Sequence, residues 1–543
     1  MERTLTIAGQ SITVTENWLD RAVRFVAPVY GAKRFRARMF EAASSAYVGA
    51  SRSDRALSQW NPQLGDADSD SIYDLDMLRA RSRDLVRNAP LASGAINTVV
   101  TNVVGTGLLL EPQIDAKALG MSEEEAEAWQ EQTEREWCLF SGSPEVDAAR
   151  TLNFCGIQEL AFRAVLESAD VLVVLPAIQR DGSPYRTKLQ LVEADRLSNP
   201  DNSRDRDLLT GGVEKDETGA PVAYHVQSTH PGSTLTTKKT EWRRIPAYGR
   251  GGRRNVLHLF KPLRPGQSRG VPYLAPVMKP LKQLDRYTDA EIMAAVISGM
   301  YTVFIKSDLG DGGLAPMSPT SETGGATSDE DYKLAAGAIV GLAPGEDIST
   351  ANPGRPNAAF DPFVQAVLRQ IGVGLELPFE ILIKHFTASY SAARAAILEA
   401  WKFFIMRRQW LAQNLCQPVY EAFLWEAVLS GRITAPGFVS DPLLRKAYCG
   451  ALWIGPAKGM INEKAEVDAA DLRVKMGIST LAEETAQLTG GDWDRKHEQS
   501  VRERRRRVRD GLELPLAPSA APPASAQSSP DPASPLGELE DQA

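Results

Sequence analysis

The sequence predicts an α+β fold, and the order of its hydrophobic patterns supports that class. Helix-type periodicity occupies residues 75–100, 123–139 and 154–168. A strand-rich stretch follows, and long helical patterns return after it, so helices and strands are grouped along the chain. The predicted strands are DVLVVLPAIQ (170–179), KLQLVEADRL (188–197), a hairpin at 212–227 in which DETG forms the turn, and RNVLHLF (254–260).

The composition fits a soluble globular protein, with 43% hydrophobic and 24% charged residues. No apolar run reaches the roughly 18 residues of a membrane span, and the N-terminus does not have the pattern of a secretory signal. The 4 cysteines lie far apart, which argues against a disulfide framework or a zinc site and fits reduced thiols made in the cytosol. A net charge of -8 argues against a protein that grips duplex DNA over its whole surface. It permits one that surrounds DNA without holding it.

The N-terminal part of the chain contains a basic, aromatic-rich segment at residues 17–43. Pro28 and Gly31 are expected to divide it into two short helical pieces. Two interpretations stay open: a solvated basic helix face, which the pattern favours, and a flange that binds a partner or nucleic acid.

Residues 75–100 are expected to be a helix interrupted at Pro90. Gly105 and Gly107 then follow an apolar run, as in half of a dinucleotide-binding fingerprint. The third glycine is absent, and Pro112 would block the helix that should follow. We therefore predict a strand with a glycine-permitted kink and no nucleotide cofactor.

The second half of the chain is predicted to be mainly helical. The longest helix is expected to begin at Ser391, with that serine as its N-cap, to end or kink at Pro418, and to be followed by a short helix that stops at Gly431. The other expectations are a helix at 271–300 broken near Pro280, a loop at 307–328, short strands at 336–343, a helix at 361–375, charged helices at 463–510, and a disordered Pro-, Ala- and Ser-rich tail from Glu513.

One motif favours an enzyme. Gly266 to Gly270 reads G-x-S-x-G, the pattern of a serine nucleophile elbow, with Ser268 as nucleophile and His385 or His497 as a following base. Pro265 and Pro272 bracket the motif and argue against the strand-to-helix turn that an elbow needs. A serine hydrolase therefore stays the alternative function. No P-loop and no metal-binding histidine spacing occur, so neither a cofactor nor a metal is expected.

Two polar segments have no catalytic pattern. Residues 384–399 read KHFTASYSAARAAILE, in which Lys384, His385, Thr387 and Ser389 precede the predicted helix start. The arginines of residues 502–509 either form a solvated helix end or contact nucleic acid or an acidic partner, and the sequence favours neither.

Several stretches in order resemble the lambda-type portal proteins of tailed bacteriophages, and together they span roughly residues 17–511. No one motif is decisive, but their shared order is specific. The stretches are 79–113, 189–200 (LQLVEADRLSNP), 211–232, 264–295 (beginning RPGQSRGVPYLAPV), 336–348 (AGAIVGLAPGEDI) and 388–411 (beginning ASYSAARAAILEAW). The G-x-S-x-G falls inside the fourth stretch.

The resemblance implies a portal fold with a strand-rich wing, long stem helices, a small clip insert and a helical crown. In this chain it places an N-terminal region and α+β wing at 1–271, a first stem helix at 272–305, a clip at 306–360, a second stem helix at 361–381, a channel loop at 382–390, a long wing or core helix and following segment at 391–454, a crown at 455–511 and a disordered tail at 512–543.

The resemblance also implies which residues carry the family's motifs and which line the channel. Lys384, His385, Thr387 and Ser389 become candidates for a loop that touches passing DNA. The structural motif residues are Asn97, Gly105, Gly107, Asp195, Gln267, Arg269, Gly270, Tyr390, Ser391 and Arg394. The chain departs from the family at Ala392, where a second serine is usual, and at residues 462–465, where the usual Asp-Pro and Lys-Glu are replaced.

The implied function is structural and not enzymatic. Portal proteins form a ring, dodecameric in the virion, at the unique capsid vertex, through which terminase packages double-stranded DNA without sequence specificity and from which DNA is later ejected. The implied partners are further copies of the chain, the terminase large subunit, capsid and scaffold proteins and head-tail adaptor proteins, with no membrane. The protein is expected in the virion after synthesis in the host bacterial cytoplasm. Apolar stripes on 272–300 and 391–415 fit either subunit interfaces or the core of one subunit.

Overall fold

A computed structural model of the chain describes residues 2–7, 10–15, 18–34, 48–50, 54–235, 239–299, 303–307, 346–350, 359–386, 389–460 and 462–512. The strands expected at 336–343, most of the loop at 307–328, Thr387 and the tail from Glu513 lie outside these residues. The chain divides into two compact units: Met1–Tyr73 with Arg264–Gln267, and Asp74–Leu263 with Ser268–Ala543.

The smaller unit contains an antiparallel hairpin that the sequence analysis did not predict. Its strands β1 (Glu2–Ile7) and β2 (Gln10–Thr15) pair in regular register. Helix α1 (Trp18–Val26) follows, and residues 28–34 are helical. The expected break before Pro28 is therefore confirmed, since proline suits the first helical position. The break at Gly31 is wrong, because one glycine lowers helix stability by only about 1 kcal/mol.

The larger unit begins with helices, and their predicted positions are confirmed. The break at Pro90 separates the first two helices, and Ser122 with Glu125 forms a capping box at the start of a third. The helices are α2 (Leu75–Asn88), α3 (Pro90–Val103), α4 (Ala116–Leu119), α5 (Glu123–Ser141) and α6 (Phe154–Ser168).

The strand-rich middle forms separate sheets, which confirms the α+β class. In a 3-stranded sheet β4 (Asp170–Val174) lies between β10 (Val256–Phe260) and β5 (Gln190–Glu193). All residues of β4 are buried, which explains the unbroken apolar run from Val171 to Val174. A 4-stranded antiparallel sheet holds β6 (Leu209–Thr210), β7 (Val213–Lys215), β8 (Pro221–Gln227) and β9 (Trp242–Pro246).

A further pair of strands joins distant parts of the larger unit. Strand β3 (Leu109–Pro112) pairs antiparallel with β13 (Ala451–Ile454). The strand expected near Gly105 therefore exists, but α3 runs to Val103 and the two glycines form the turn between helix and strand.

The main core of this unit is rich in aromatic side chains. Trp137 is surrounded by the rings of Phe154, Tyr420, Phe423 and Trp453, with centroids 5.2 to 5.8 Å from its own and near-perpendicular planes. Edge-to-face ring pairs contribute about 0.5–1.5 kcal/mol each beyond the burial of their area. This cluster therefore fixes α5 and α6 to the C-terminal part of the chain.

Two long helices, called the two-helix segment below, follow the strand-rich part. They are α7 (Met278–Gly299) and α8 (Phe360–Gly374), and between them β11 (Val303–Ser307) pairs with β12 (Glu346–Thr350). The predicted break near Pro280 is wrong. Pro280 lies in the first turn of α7, where a missing N–H removes no helical hydrogen bond.

The bounds expected for these helices also need correction. The first ends at Gly299 and not at 305, where strand β11 has already begun. The second does not continue to 381. It ends at Gly374, and after a turn a short helix α9 (Phe379–Ile383) follows. Pro378 explains the interruption, because it cannot donate the hydrogen bond that a continuous helix would need there.

The helix predicted to be the longest, α10 (Tyr390–Leu411), equals α7 in length and begins one residue earlier than predicted. Ser389 occupies the N-cap position and makes no side-chain capping bond, so the capping role assigned to Ser391 is wrong. Pro418 does not end the helix. A π-helical turn (Ala412–Cys416) precedes it and leads directly into α11 (Gln417–Leu429). Gly431 follows with a positive φ of 72°, as expected after a helix end.

The C-terminal part of the described chain is helical, as predicted. The helices are α12 (Pro442–Tyr448), α13 (Glu463–Lys475), α14 (Leu481–Thr489) and α15 (Trp493–Arg509). Arg408 of α10 ties this part to α3: it donates hydrogen bonds to the carbonyls of Asn102, Val103 and Pro456 at 2.8 to 3.3 Å. A cation at a helix C-terminus is stabilised by the free carbonyls there.

Candidate functional site

Residues 268–277, called the strap below, connect the strand-rich body to the two-helix segment. Arg269 fixes the start of the strap. Its guanidinium donates to the carbonyls of Ala194, Leu197 and Gly211 at 2.7 to 2.8 Å. The same group donates to both carboxylate oxygens of Asp170, at 2.5 and 3.2 Å. One side chain thus joins the strap to β4 and to two loops of the body.

Asp170 is the centre of a buried charge cluster. Besides Arg269, it accepts a hydrogen bond from Nη2 of Arg79 at 3.0 Å, and Nε2 of His258 lies 3.2 Å from its other oxygen. Asp170 is 1% exposed and each of the two arginines is 2% exposed. Arg79 also donates to the carbonyl of Ser168 at 3.0 Å. The cluster therefore joins α2, β4, β10 and the strap.

The electrostatics of the cluster keep Asp170 charged. Burial alone would raise its pKa, but the charges of Arg269 and Arg79 outweigh burial and hold the pKa well below its usual range. Burial lowers the pKa of Arg79 to about 10, so that this guanidinium stays protonated at neutral pH. Burial also lowers the pKa of His258, which favours the neutral ring.

Gly270 lets the strap pass close to the body. A Cβ atom at this position would lie 2.1 Å from the carbonyl oxygen of Ala169 and 3.0 Å from Cβ of Phe260. Ala169 itself has a positive φ of 82° at the end of α6, so its backbone is held in an unusual conformation. Only glycine fits between these groups, so the residue that follows Arg269 must lack a side chain.

The far end of the strap is fastened to the two-helix segment. The backbone N–H of Tyr273 donates to the carbonyl of Leu166 at 2.9 Å, and its hydroxyl donates to the carbonyl of Leu375, just after α8. Burial raises the pKa of the Tyr273 hydroxyl, so it remains a donor. Leu274 and Val277 are buried. The strap can therefore hold the roots of α7 and α8 rigidly against the body.

Asp195 adds a second ion pair on the same side of the body. Arg83, one helical turn after Arg79, donates to both oxygens of Asp195 at 3.1 and 2.5 Å. Burial would raise the pKa of Asp195, but the hydrogen bond and charge of Arg83 lower it. Of the motif residues, the structure therefore brings Asp195, Arg269 and Gly270 together around Asp170.

Other motif residues have local roles elsewhere. Asn97 on α3 is exposed and accepts a hydrogen bond from Arg163 at 2.8 Å. Gly105 and Gly107 have φ values of 57° and 109°. A Cβ atom at these glycines would lie 2.4 Å from Cγ of Pro456 and 2.4 Å from Sγ of Cys155, respectively. Gln267 belongs to the smaller unit, where its side chain accepts a hydrogen bond from the backbone N–H of Arg264 at 3.3 Å.

The proposed channel loop is shorter than expected, because residues 382 and 383 belong to α9 and Tyr390 begins α10. Lys384 ends α9 with a positive φ of 54°, and Lys384, His385 and Ser389 are exposed. In the first turns of α10, Ser391 and Arg394 are exposed as well.

The geometry around Ser268 does not support a serine hydrolase. Ser268 is 4% exposed and lies between a strand that ends at Phe260 and a 3-10 turn that begins at Ala275, which is not a strand-turn-helix elbow. His385 is exposed in another segment, and the ring of His497 stacks on Trp493 in the charged helix α15.

The described residues offer neither a metal-binding cluster nor a membrane-spanning helix. Those residues contain no group of three or more His, Cys, Asp and Glu side chains placed to hold a metal ion. Within the same part of the chain, every helix is too short or too polar to cross a membrane.

Sequence reasoning missed Arg79, Asp170 and His258. One signal was present: the core-facing positions of α2 are Leu75, Arg79, Ser82 and Leu85, so Arg79 stands in an apolar stripe. A charge at such a position predicts a buried partner. Nothing in the sequence indicated that the partner is Asp170.

Sequence comparison identifies the class of protein. Residues 53–408 match the family described as phage portal protein, lambda family. Portal protein B of Escherichia phage lambda is 28% identical over 492 residues, which cover 86% of this chain and 90% of that protein. The portal protein of Escherichia phage N15 is 28% identical over 491 residues, covering 86% and 91%. A probable portal protein of Halomonas phage phiHAP-1 is 24% identical over 477 residues, covering 86% and 87%.

Solved structures give a weaker likeness. A chain from the virion of a native gene transfer agent particle has a TM-score of 0.38 and 16% identity, and covers 72% of this chain and 94% of that one. A chain from the neck of the native particle has a TM-score of 0.37 and 14% identity, with coverage of 77% and 99%. The assignment rests on the sequence matches alone.

The chain belongs to the lambda family of phage portal proteins. It is a portal protein of a tailed phage, and the resemblance drawn from its motifs is confirmed.

Proposed function

We propose that the chain assembles head to tail into a dodecameric ring at the unique capsid vertex, and that double-stranded DNA enters and leaves the head through its centre. The observation that carries this proposal is the family match, which extends over the strap and the two-helix segment. A ring needs two different complementary faces on each subunit, and these close by rotation.

An apolar surface on the two-helix segment supports such contacts. Ile292, Met293 and Val296 of α7 are 61%, 57% and 47% exposed in the single chain. Residues 292 and 296 are one helical turn apart and share a face. Exposed apolar groups in such an arrangement mark an interaction surface. We assign this surface to the contact between neighbouring subunits.

The parts of the proposed portal subunit keep their sequence-based positions, with helix bounds from the structure. The wing is the strand-rich body, the stem is the two-helix segment, and the clip is the insert that contains β11 and β12. The crown contains α13, α14 and α15. The strap would then transmit force between stem and wing, because Arg269 and Tyr273 fasten its two ends.

The loop at 384–389 is proposed to face passing DNA. Lys384 and His385 are exposed, and the chain as a whole is acidic, with a net charge of -8. Each phosphate neutralised by Lys or Arg adds salt-dependent affinity, so a channel with few cations lets DNA slide. We further propose that the ring has no catalytic activity of its own.

The proposed partners follow from this role. They are the terminase large subunit during packaging, capsid and scaffold proteins during head assembly, and head-tail adaptor proteins afterwards. The protein would be made in the host bacterial cytoplasm and end at the capsid vertex of the virion.

Electron microscopy and native mass spectrometry of the purified chain test the assembly. We expect rings with a central hole. Ile292→Glu with Val296→Glu should yield single subunits, because charges would enter the proposed contact. Leu139→Glu, at an exposed leucine of α5, is the matched control and should leave rings intact. Wild-type monomers that hydrolyse esters, with activity lost in Ser268→Ala, would contradict the proposal.

A linker replacement tests the channel loop. Exchanging residues 384–389 for a Gly-Ser sequence should leave the rings intact and reduce the DNA retained in particles, measured as genome length per head. Particles that package and retain normal genome lengths would show that this loop does not act on DNA.

A further inference from the structure

A small basic cavity lies in the larger unit, outside the strap and the two-helix segment. Its volume is about 230 Å³. One wall is the turn at residues 251–254, another is a face of α11 that includes Glu421 and Trp425, and Phe438 and α12 complete it. The cavity is thus built from three separate parts of the chain, which fixes its lining groups relative to one another.

The lining carries an excess of positive charge. Arg253, Arg254, Arg445 and Lys446 contribute cations, whereas Glu421 is the one acidic residue in the lining. In the described part of the chain, none of these cations forms an ion pair with a carboxylate. A concave surface with uncompensated charge of one sign concentrates ions of the opposite sign.

The guanidinium of Arg253 is partly buried and has few hydrogen-bond partners. Its Nη2 donates to the hydroxyl of Thr187 at 2.8 Å, but its buried Nε has no hydrogen-bond partner. The nearby carboxylate of Glu426 accepts from the backbone N–H groups of Arg186 and Thr187 at 2.6 and 2.9 Å. Burial lowers the pKa of Arg253, and the negative charge of Glu426 offsets part of this effect. The guanidinium of Arg253 is therefore incompletely satisfied by hydrogen bonds within the chain.

Arg445 is held in position on the opposite wall. Its guanidinium lies 4.4 Å from the ring centre of Trp425 and 6.0 Å from that of Phe438. Nε and Nη2 donate to the carbonyls of Phe438 and Val439 at 2.9 and 3.0 Å. The side chain therefore needs little ordering to bind a ligand, and Trp425 adds a flat apolar wall.

We propose that this cavity binds an oxyanion, a phosphate or carboxylate group, through Arg253, Arg445, Arg254 and Lys446. Guanidinium groups suit this chemistry because their donors match two oxygens of one anion. The group would belong either to a phosphate-bearing small molecule or to an acidic protein side chain. This site does not depend on ring formation, so its test is separate from that of the proposed function.

Thermal unfolding and isothermal calorimetry of the full chain test the site, with inorganic phosphate in one arm and glutarate in the other. Sodium chloride keeps the ionic strength equal in every sample, which removes general screening effects. We expect saturable binding and a rise in Tm in at least one arm. Binding of phosphate alone identifies a phosphate-bearing ligand, and binding of glutarate identifies an acidic protein partner.

The variants use exposed residues so that folding is preserved. Arg254→Gln with Lys446→Gln should weaken binding about ten-fold, since each removes one charge-assisted contact. Arg135→Gln, at an exposed arginine on α5, is the matched control and should bind like wild type. The proposal is overturned if neither anion binds beyond the chloride control, or if the double variant binds as tightly as wild type.

Discussion

Replacing Asp170 with Asn tests whether the buried charge cluster stabilises the strand-rich body and the root of the two-helix segment. The substitution keeps the size of the side chain and removes its charge. Arg79 and Arg269 would then remain in the interior, each 2% exposed, without the carboxylate that both now contact. The N–H₂ group of the new asparagine would also lie against the N–H donors of Arg79 and Arg269.

The expected loss follows from this geometry. Removing one partner of a buried ion pair costs about 3–5 kcal/mol, because an uncompensated charge stays behind. Since two buried arginines depend on Asp170, we expect a loss of about 4–5 kcal/mol, at the upper end of that range. The lowered pKa of Asp170 makes this difference persist through neutral and mildly acidic pH. It should shrink only below pH about 4, where the carboxylate is protonated in the unfolded chain.

Urea denaturation at pH 7, followed by tryptophan fluorescence, gives the free energy of unfolding. The matched control is Glu131→Gln, which removes an exposed carboxylate from its pair with Arg135 on α5 and should cost roughly 0–1 kcal/mol. If Asp170→Asn unfolds within about 1 kcal/mol of this control, the cluster does not hold the fold as argued.

The remaining predictions concern three other positions. Gly270→Ala should lower the free energy of unfolding by more than about 3 kcal/mol or prevent soluble expression, because its Cβ would lie 2.1 Å from a carbonyl oxygen. The control is Gly94→Ala, whose Cβ would meet no atom within 4 Å, and it should be neutral or stabilising in the same denaturation assay. Burial lowers the pKa of His258, so the ring takes up a proton more readily in the unfolded chain than in the folded one. Stability should therefore fall as pH drops below about 6.5. A pH series in which His258→Gln loses as much stability as wild type would refute this. Arg408→Met should cost about 2 kcal/mol and speed amide hydrogen exchange at residues 455–460, since three carbonyls lose their donor; unchanged exchange there would show that Arg408 does not fasten this segment.

The helices and most of the strands could be predicted from local patterns. Pro90 separates two helices, whereas Pro280 lies in the first turn of one helix and interrupts nothing. The sequence pattern did not show where the helix begins, so both prolines looked alike. The π-helical turn at Ala412–Cys416 was also missed, because one extra residue in a helical turn leaves no recognisable pattern in the sequence.

Contacts between distant segments could not be predicted in the same way. Strand β3 pairs with β13, more than half the chain away, and Asp170 meets arginines from two separate segments. Family resemblance selected Arg269 and Gly270 without giving a reason. The reason lies in the three-dimensional contacts. All three guanidinium nitrogens of Arg269 donate hydrogen bonds to groups of the body. Gly270 leaves room for the carbonyl of Ala169.

The π-helical turn between α10 and α11 divides one continuous helical stretch, residues 390–429, into two parts that pack differently. An added residue rotates everything beyond it by about 100°, so the faces before and after the turn do not line up. Before the turn, α10 is supported along one side and exposes residues such as Leu398 and Met406. Beyond it, α11 is embedded through Val419, Phe423 and Leu424. Residues 412–416 therefore mark the point at which a helix with one exposed side becomes a helix packed on nearly all sides.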